Sequence, residues 1–449
     1  MKRLPGPVVT DFLGRMAPRL RRALRLRRWK RWLVFGAGAI VTGLAAVIFA
    51  RGSDAALRFF RETSAGIPAW AWLAPPLGFA SIAWLTRRVF PGAQGSGIPQ
   101  TIAALGVPRP AQRNELLSMR IATGKLLLTV AALGSGASVG REGPTVQIGA
   151  SIMHSLWRLA RFPAVDLDRG LILAGGAAGI AAAFNTPLAG VVFAIEELSR
   201  TYEDRTSGTI FTAVIVAGVT SIALVGNYTY FGVTQATLTS VQAWAVVPVC
   251  GVVGGLAGGL FARALLAMRG GLPGFLGSLQ RGRPVVFAMS CGAFVALLGW
   301  WSAGGTFGTG YGEARALVQQ EAAASAAFPV LKALATLVSY LAGIPAGIFA
   351  PSLAVGAGIG GVLAQHLDFA PGGAIVVLSM AAYFSGVVQA PLTALVIVGE
   401  MTGNRGLTLP LMAVCLVGRV ASALVCRTSL YRALAAGFMP RDATATSRE

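Results

Sequence analysis

From Trp32 to Cys426 the sequence is a succession of apolar runs of uneven length, cut by glycine and proline. In lipid every backbone N–H and C=O must be bonded within the protein. Apolar runs there become helices, and breaks persist only where they are buried in protein or line a cavity. The first two runs cover about 32–50 and 68–85. Others follow near 120–139, 145–157, 170–198, 207–225, 243–266, 284–302, 328–346, 352–366, 373–399 and 407–426. Several fall short of the roughly 20 residues a simple span needs. With 55% hydrophobic and only 12% charged residues in 449, the chain is too apolar for a soluble protein of this length, and an all-α polytopic membrane protein is expected. Short and interrupted segments in corresponding halves point to a transporter-type site near the middle of the bilayer.

The net charge of +21 could suggest nucleic acid, but its distribution suggests topology instead. Residues 1–31 hold eleven Lys or Arg and one acid, Asp11. The positive-inside rule then makes 1–31 a basic cytoplasmic segment, suited to lying on anionic lipid. A cleaved signal peptide is not expected, because the basic part is too long and the run ends Ile48-Phe49-Ala50. The first span is expected to lead outward into a loop carrying Arg51, Asp54, Arg58, Arg61 and Glu62, and the second to return to Arg87 and Arg88. Cys250, Cys291, Cys415 and Cys426 sit singly in apolar stretches, and His154 and His366 are the two histidines. No metal centre and no redox cofactor is expected from such a set.

The two halves correspond. Glu142-Gly143-Pro144-Thr145-Val146-Gln147-Ile148-Gly149-Ala150 aligns with Phe349-Ala350-Pro351-Ser352-Leu353-Ala354-Val355-Gly356-Ala357 at an offset of 207. Pro187-Leu188, running to Glu196, aligns with Pro391-Leu392, running to Glu400, at an offset of 204. Two matches in the same order at nearly equal offsets indicate an internal repeat, about 32–225 and 230–431. Span parity leaves open whether the repeats are inverted.

Three breaks share one design: Gly95-Ser96-Gly97-Ile98-Pro99, Gly140-Arg141-Glu142-Gly143-Pro144 and Gly347-Ile348-Phe349-Ala350-Pro351. Each has a glycine start and a proline about where a first helical turn begins, then an apolar stretch. Proline early in a helix removes an N–H that has no intrahelical partner, and glycine leaves the backbone open to close approach. Each motif is therefore expected to be a helix N-terminus presenting free N–H groups and the positive end of a dipole. Three such ends aimed at one place make an anion site without a full positive charge, which suits a pathway that must also release its ion. Ser96 is either a further donor to that site or an ordinary N-cap. Glu142 stands in apolar surroundings, and an acid at membrane depth marks a functional site.

The motifs GSGIP, GREGP and GIFAP, in that order, closely resemble those of the CLC chloride channels and proton-coupled chloride transporters, over about Phe90 to Tyr431. The resemblance implies two inverted repeats of tilted, partly broken helices, with 32–431 a single transport domain. It also implies a homodimer in the lipid bilayer, with one anion pathway per subunit and chloride and protons as substrates. By position it implies a chloride site formed by Ser96, the amides of Ile348 and Phe349 and the Tyr431 hydroxyl, and an outer site formed by the amides of Arg141, Glu142 and Gly143. Glu142 matches the gating and external proton glutamate, and Glu197 the internal proton glutamate. An ionised Glu142 would be a tethered anion that excludes chloride; protonated, it would lose that attraction and swing away.

Read without the resemblance, Tyr431 is an interfacial aromatic and Glu196-Glu197 a solvated helix end. Lys125 is a buried counter-charge or a snorkelling end residue, and Glu400 a helix-end structural acid. Arg141 is expected to be structural, since a full charge at the ion would hold it too firmly. Gln100 stands where transporter relatives often carry an acid, which bears on the cytoplasmic proton route. The resemblance further implies a preference for chloride, because fluoride-exporting relatives vary the first motif and the central tyrosine and nitrate-selective relatives carry proline where this chain has Ser96. A short cytoplasmic tail, 432–449, is expected to follow, without the nucleotide-sensing domains found on many relatives.

The leading expectation is a chloride/proton antiporter in a bacterial inner membrane, with both termini cytoplasmic. A passive chloride channel of the same fold is the alternative. A membrane enzyme using Glu142 or the Glu196-Glu197 pair as acid and base is disfavoured, because catalytic partners are lacking.

Overall fold

A computed structural model describes residues 7–107, 109–160, 165–199, 204–226 and 229–439. Residues 1–6 of the basic segment and 440–449 of the tail lie outside them. The first half runs through α1 (Pro7–Gly66), α2 (Pro68–Arg88), α3 (Ile98–Gly106), α4 (Pro110–Asn114), α5 (Met119–Gly134), α6 (Glu142–Ala160), α7 (Val165–Phe184), α8 (Pro187–Phe193) and α9 (Asp204–Val225). A π-helical turn, Ala194–Ser199, extends α8. The second half runs through α10 (Val241–Trp244), α11 (Val246–Ala267), α12 (Gly274–Gly282), α13 (Pro284–Trp301), α14 (Tyr311–Val318), α15 (Phe328–Leu341), α16 (Phe349–Ala364), α17 (Gly372–Val388), α18 (Pro391–Thr402), α19 (Thr408–Val425) and α20 (Leu430–Ala435). Among the described residues, five helical stretches are long and apolar enough to cross a membrane by length and composition. Others, such as α16 and α18, are shorter apolar helices.

The expected outward loop at 51–62 does not form: α1 continues unbroken to Gly66. Charged side chains do not stop a helix. The stop comes at Ile67, whose extended backbone (φ −130°, ψ 90°) is what a following proline, Pro68, imposes. Helix α2 then packs along α13 of the other half.

Both repeats contain the same helix pair. Helix α6 packs on α7, and α16 on α17. The contact passes through Gly149 in the first pair and Gly356 in the second, where a Cβ would overlap the Gly175 carbonyl or the Met380 backbone. The repeats are inverted, and the pair α8 and α18 shows how. At the far end of α8, Glu196 accepts from Leu392 N (3.2 Å) and Thr393 N (2.6 Å) at the start of α18. At the far end of α18, Glu400 accepts from Leu188 N (3.3 Å) and Ala189 N (2.8 Å) at the start of α8. Two helices that each cap the other's beginning with their own end must run antiparallel. The reading of Glu400 as a helix-end acid holds, and Glu196 does the same work in reverse. Just before each helix the backbone turns through positive φ, at Asn185 (56°) and Gln389 (59°).

Candidate functional site

The three glycine-led breaks meet. Gly95 N donates to Ile344 O (3.0 Å), Ala346 N to Gly95 O (3.1 Å), and Gly140 N to Gly347 O (2.6 Å). These bonds tie the segments preceding α3, α6 and α16 together, so three helices begin at one place. Proline occupies the second helical position in α3 and the third in α6 and α16. Gly97 has φ 100°, and a Cβ there would stand 2.7 Å from Gly143 O. Any other residue would be strained and would push α3 from α6. Neither α3 nor α16 is capped by a side chain at its N-cap position, so first-turn N–H groups stay available to an acceptor.

Glu142, the first residue of α6, is fully buried. Its carboxylate lies at the start of α16, where Oε2 accepts from Ala350 N at 3.4 Å. Oε1 accepts from the Tyr311 hydroxyl at 2.6 Å. Arg141 is also buried, and its Nε stays 4.0 Å from Glu142 Oε1. Its terminal nitrogens bond Ala50 O (2.8 Å), Asp54 (2.7 Å) and Tyr230 Oη (2.7 Å), and its guanidinium lies 5.7 Å from the Tyr230 ring and 5.8 Å from that of Tyr311. These contacts fasten α6 to α1, in keeping with a structural cation.

Close by lie Ser96 and Tyr431, both buried and facing each other. Neither hydroxyl makes a hydrogen bond of normal geometry with protein. Ser96 is not the N-cap of α3, since that position is Gly97. With its ring fully buried, Tyr431 is not an interfacial aromatic. Ile348 is the N-cap of α16, and Phe349 its first residue, with the Phe349 ring between Phe184 (5.0 Å) and Phe384 (4.2 Å). Glu197 is not a solvated helix end: it is 1% exposed, and Ser429 Oγ donates to its Oε1 at 3.5 Å. Two buried hydroxyls beside helix starts supply donors to anything that accepts, which is the chemistry of anion binding.

Lys125 is buried, with Nζ donating to Gln94 O (3.1 Å) and Gly95 O (2.9 Å), so it braces the first break and does not snorkel. Gln100 ties the same loop, accepting from Gly97 N (3.0 Å) and donating to Gln94 O (2.6 Å). Among the described residues no group of three or more His, Cys, Asp or Glu is placed to hold a metal. His154 instead joins a buried network: its Nδ1 meets Asp168 at 2.6 Å, and Arg113 Nη1 donates to Asp168 at 2.7 Å.

Sequence reasoning missed Tyr311, Tyr230 and Lys332. A signal for two of them was present. Gly308-Thr309-Gly310-Tyr311 repeats the pattern of Gly95-Ser96-Gly97-Ile98 at an offset of 213, and Lys332 follows Lys125 by 207. Lys332 Nζ donates to Thr306 O and Gly308 O, each at 2.8 Å, as Lys125 does for the first break.

The Voltage gated chloride channel family model matches residues 78–423. The chain is 31% identical over 396 residues to the H(+)/Cl(-) exchange transporter ClcA of Cronobacter sakazakii, covering 83% of this chain and 81% of that one. It is 30% identical over 429 residues to the transporter of the same name from Yersinia pestis, covering 88% and 85%. A slow cyanobacterial Cl-/H+ antiporter superposes with a TM-score of 0.79 at 25% identity, covering 93% of this chain and 99% of that chain. A CLC-type fluoride/proton antiporter has the same fold, with a TM-score of 0.75 at 21% identity over 90% and 96%.

Proposed function

The chain belongs to the voltage gated chloride channel family, and on that premise we propose how its site exchanges chloride for protons. The protein is an integral membrane chloride/proton antiporter, moving chloride one way and protons the other. What supports the mechanism most directly is the seat of the Glu142 carboxylate: buried, at the start of α16, and bonded to Ala350 N. A helix start that attracts chloride attracts an ionised carboxylate equally, so charged Glu142 closes the path. Once protonated it loses that attraction, leaves, and carries its proton with it. Chloride then takes the place, held by the amides of Ile348 and Phe349 and the hydroxyls of Ser96 and Tyr431, with an outer site at the amides of Arg141, Glu142 and Gly143. Binding by dipoles and hydroxyls without a full charge keeps release fast.

Glu197 is the internal proton acid. It lies beside the Ser429-Leu430-Tyr431 turn, and Tyr431 is within electrostatic reach of both Glu142 and Glu197. A buried acid on the far side of the anion site gives a passive channel no benefit, and this favours exchange over passive conduction. No bond-making catalysis is part of the reading. The protein works as a homodimer in the bacterial inner membrane, with one pathway per subunit and both termini cytoplasmic. Residues 32–431 form one transport domain.

The test is purified protein in liposomes under a chloride gradient. The expected result is uphill proton movement, abolished in Glu142→Gln while some chloride flux remains. Chloride flux without proton movement in the unmodified protein would refute exchange; normal pumping by Glu142→Gln would refute the gate.

A further inference from the structure

Tyr311 has no part in the mechanism above, yet it makes the shortest hydrogen bond to the gate carboxylate, 2.6 Å against 3.4 Å for Ala350 N. The phenol is held for this contact from three sides. Gly308 (φ 74°) and Gly310 (φ 82°) turn the chain sharply before α14, and Lys332 clamps that loop through the carbonyls of Thr306 and Gly308. The ring packs against Tyr230 with centroids 4.8 Å apart and the planes tilted by 34°, and Phe231 lies 5.7 Å away. Arg141 does not make this bond: its terminal nitrogens go to Ala50, Asp54 and Tyr230, and its Nε stays 4.0 Å from Glu142 Oε1, beyond hydrogen-bond distance.

The hydroxyl is not needed to build this helix start. The equivalent residue of the other repeat is Ile98, which begins α3 after the same Gly-x-Gly pattern. A polar atom added where the fold accepts an apolar residue, and aimed at a buried carboxylate, is explained by the carboxylate. A neutral phenol donates to the charged gate without adding to the positive charge that Arg141 already places nearby.

We propose that Tyr311 is a positioning residue that latches ionised Glu142 in the closed position, so that its hydroxyl sets how much chloride is needed to displace the gate. The proposal rests on the reading of Glu142 as the gate. Hydrogen bonds to charged groups contribute enough that losing one changes an equilibrium by about tenfold or more.

The test measures chloride binding to purified, detergent-solubilised protein by calorimetry, and chloride dependence of flux in liposomes, at one fixed pH. Tyr311→Phe keeps the ring and removes the hydroxyl. Its half-saturating chloride concentration should fall by about tenfold. In a Glu142→Ala background there is no carboxylate to release, and Tyr311→Phe should then shift half-saturation by less than about twofold. An unchanged value in the presence of Glu142, or an equal shift in both backgrounds, overturns the latch; equal shifts mean that Tyr311 acts through packing. If the phenylalanine variant is not recovered folded, Tyr311→Ile serves, the residue type this helix start carries in the first repeat. Binding needs no proton coupling, so failure of the unmodified protein to move protons counts against exchange and leaves the latch to be judged on affinity.

Discussion

Replacing Glu196 and Glu197 separately should break different properties, although the two acids are adjacent. Glu196 accepts from Leu392 N and Thr393 N at the first turn of α18. Glu196→Ala leaves both donors without that partner and removes a negative charge from the positive end of the helix dipole. Capping and charge–dipole terms of this kind each contribute about 0.5–2 kcal/mol. One of the two bonds is exposed and the other part-buried, so solvent replaces part of the loss, and about 1–2 kcal/mol is expected. For a chain of 449 residues that corresponds to a fall of roughly 1–2 °C in the thermal midpoint in detergent. Proton coupling in liposomes should persist. Glu197→Gln keeps the shape of a side chain that is 1% exposed. Its midpoint should move by less than about 1 kcal/mol equivalent, while uphill proton movement is lost and chloride flux remains. Loss of coupling in Glu196→Ala at unchanged stability, with Glu197→Gln still coupled, would show that the roles of the two acids are reversed.

Two further outcomes follow from buried charges. Asp168→Ala strands Arg113 and His154, which share that carboxylate in the interior. Removing one partner of such a set costs about 3–5 kcal/mol, seen as loss of monodisperse protein on size-exclusion chromatography; a normal elution profile and midpoint would contradict the network's importance. Lys332→Met deprives the carbonyls of Thr306 and Gly308 of their donor at about 1–3 kcal/mol. Because that loop carries Tyr311, half-saturating chloride should fall in the direction expected for Tyr311→Phe, and an unchanged value would sever the loop from the gate.

Much of this architecture was legible in the residues. Helix starts at GSGIP, GREGP and GIFAP could be inferred because glycine and proline act locally, through φ and a missing N–H. The meeting of those starts could not, because Gly140 N to Gly347 O joins residues 207 positions apart. Arg51 to Glu62 suggested a loop because charges usually mark water. Here Arg141, just before α6, bonds Asp54 and the Ala50 carbonyl, so the charged stretch of α1 flanks the site as helix. Burial excluded the interfacial reading of Tyr431 and the solvated reading of Glu197, and burial is set by neighbours distant in the chain.

The repeat itself offers a criterion for telling scaffold from chemistry. Lys125 and Lys332, Pro144 and Pro351, Gly149 and Gly356, and Glu196 and Glu400 match in both halves, and each matched pair braces, starts, packs or caps a helix in the structure. An inverted repeat needs these twice, because the same joint must be made on both sides of the bilayer. Directional exchange needs the opposite, a different chemistry on each side of the ion. The two acids proposed to carry protons sit at mismatches: Glu142 stands opposite Phe349, and Glu197, at the 204 offset, opposite Met401. Tyr311 stands opposite Ile98 in the same way. A buried polar side chain whose repeat partner is apolar is not required by the shared fold and must be compensated within its own half: Arg141, opposite Ile348, does this by bracing α1, whereas the role proposed for Glu142 and Glu197 is proton transfer. By that argument Glu196 belongs to the scaffold, while the role proposed for Glu197 lies outside it, though the two are adjacent in the sequence.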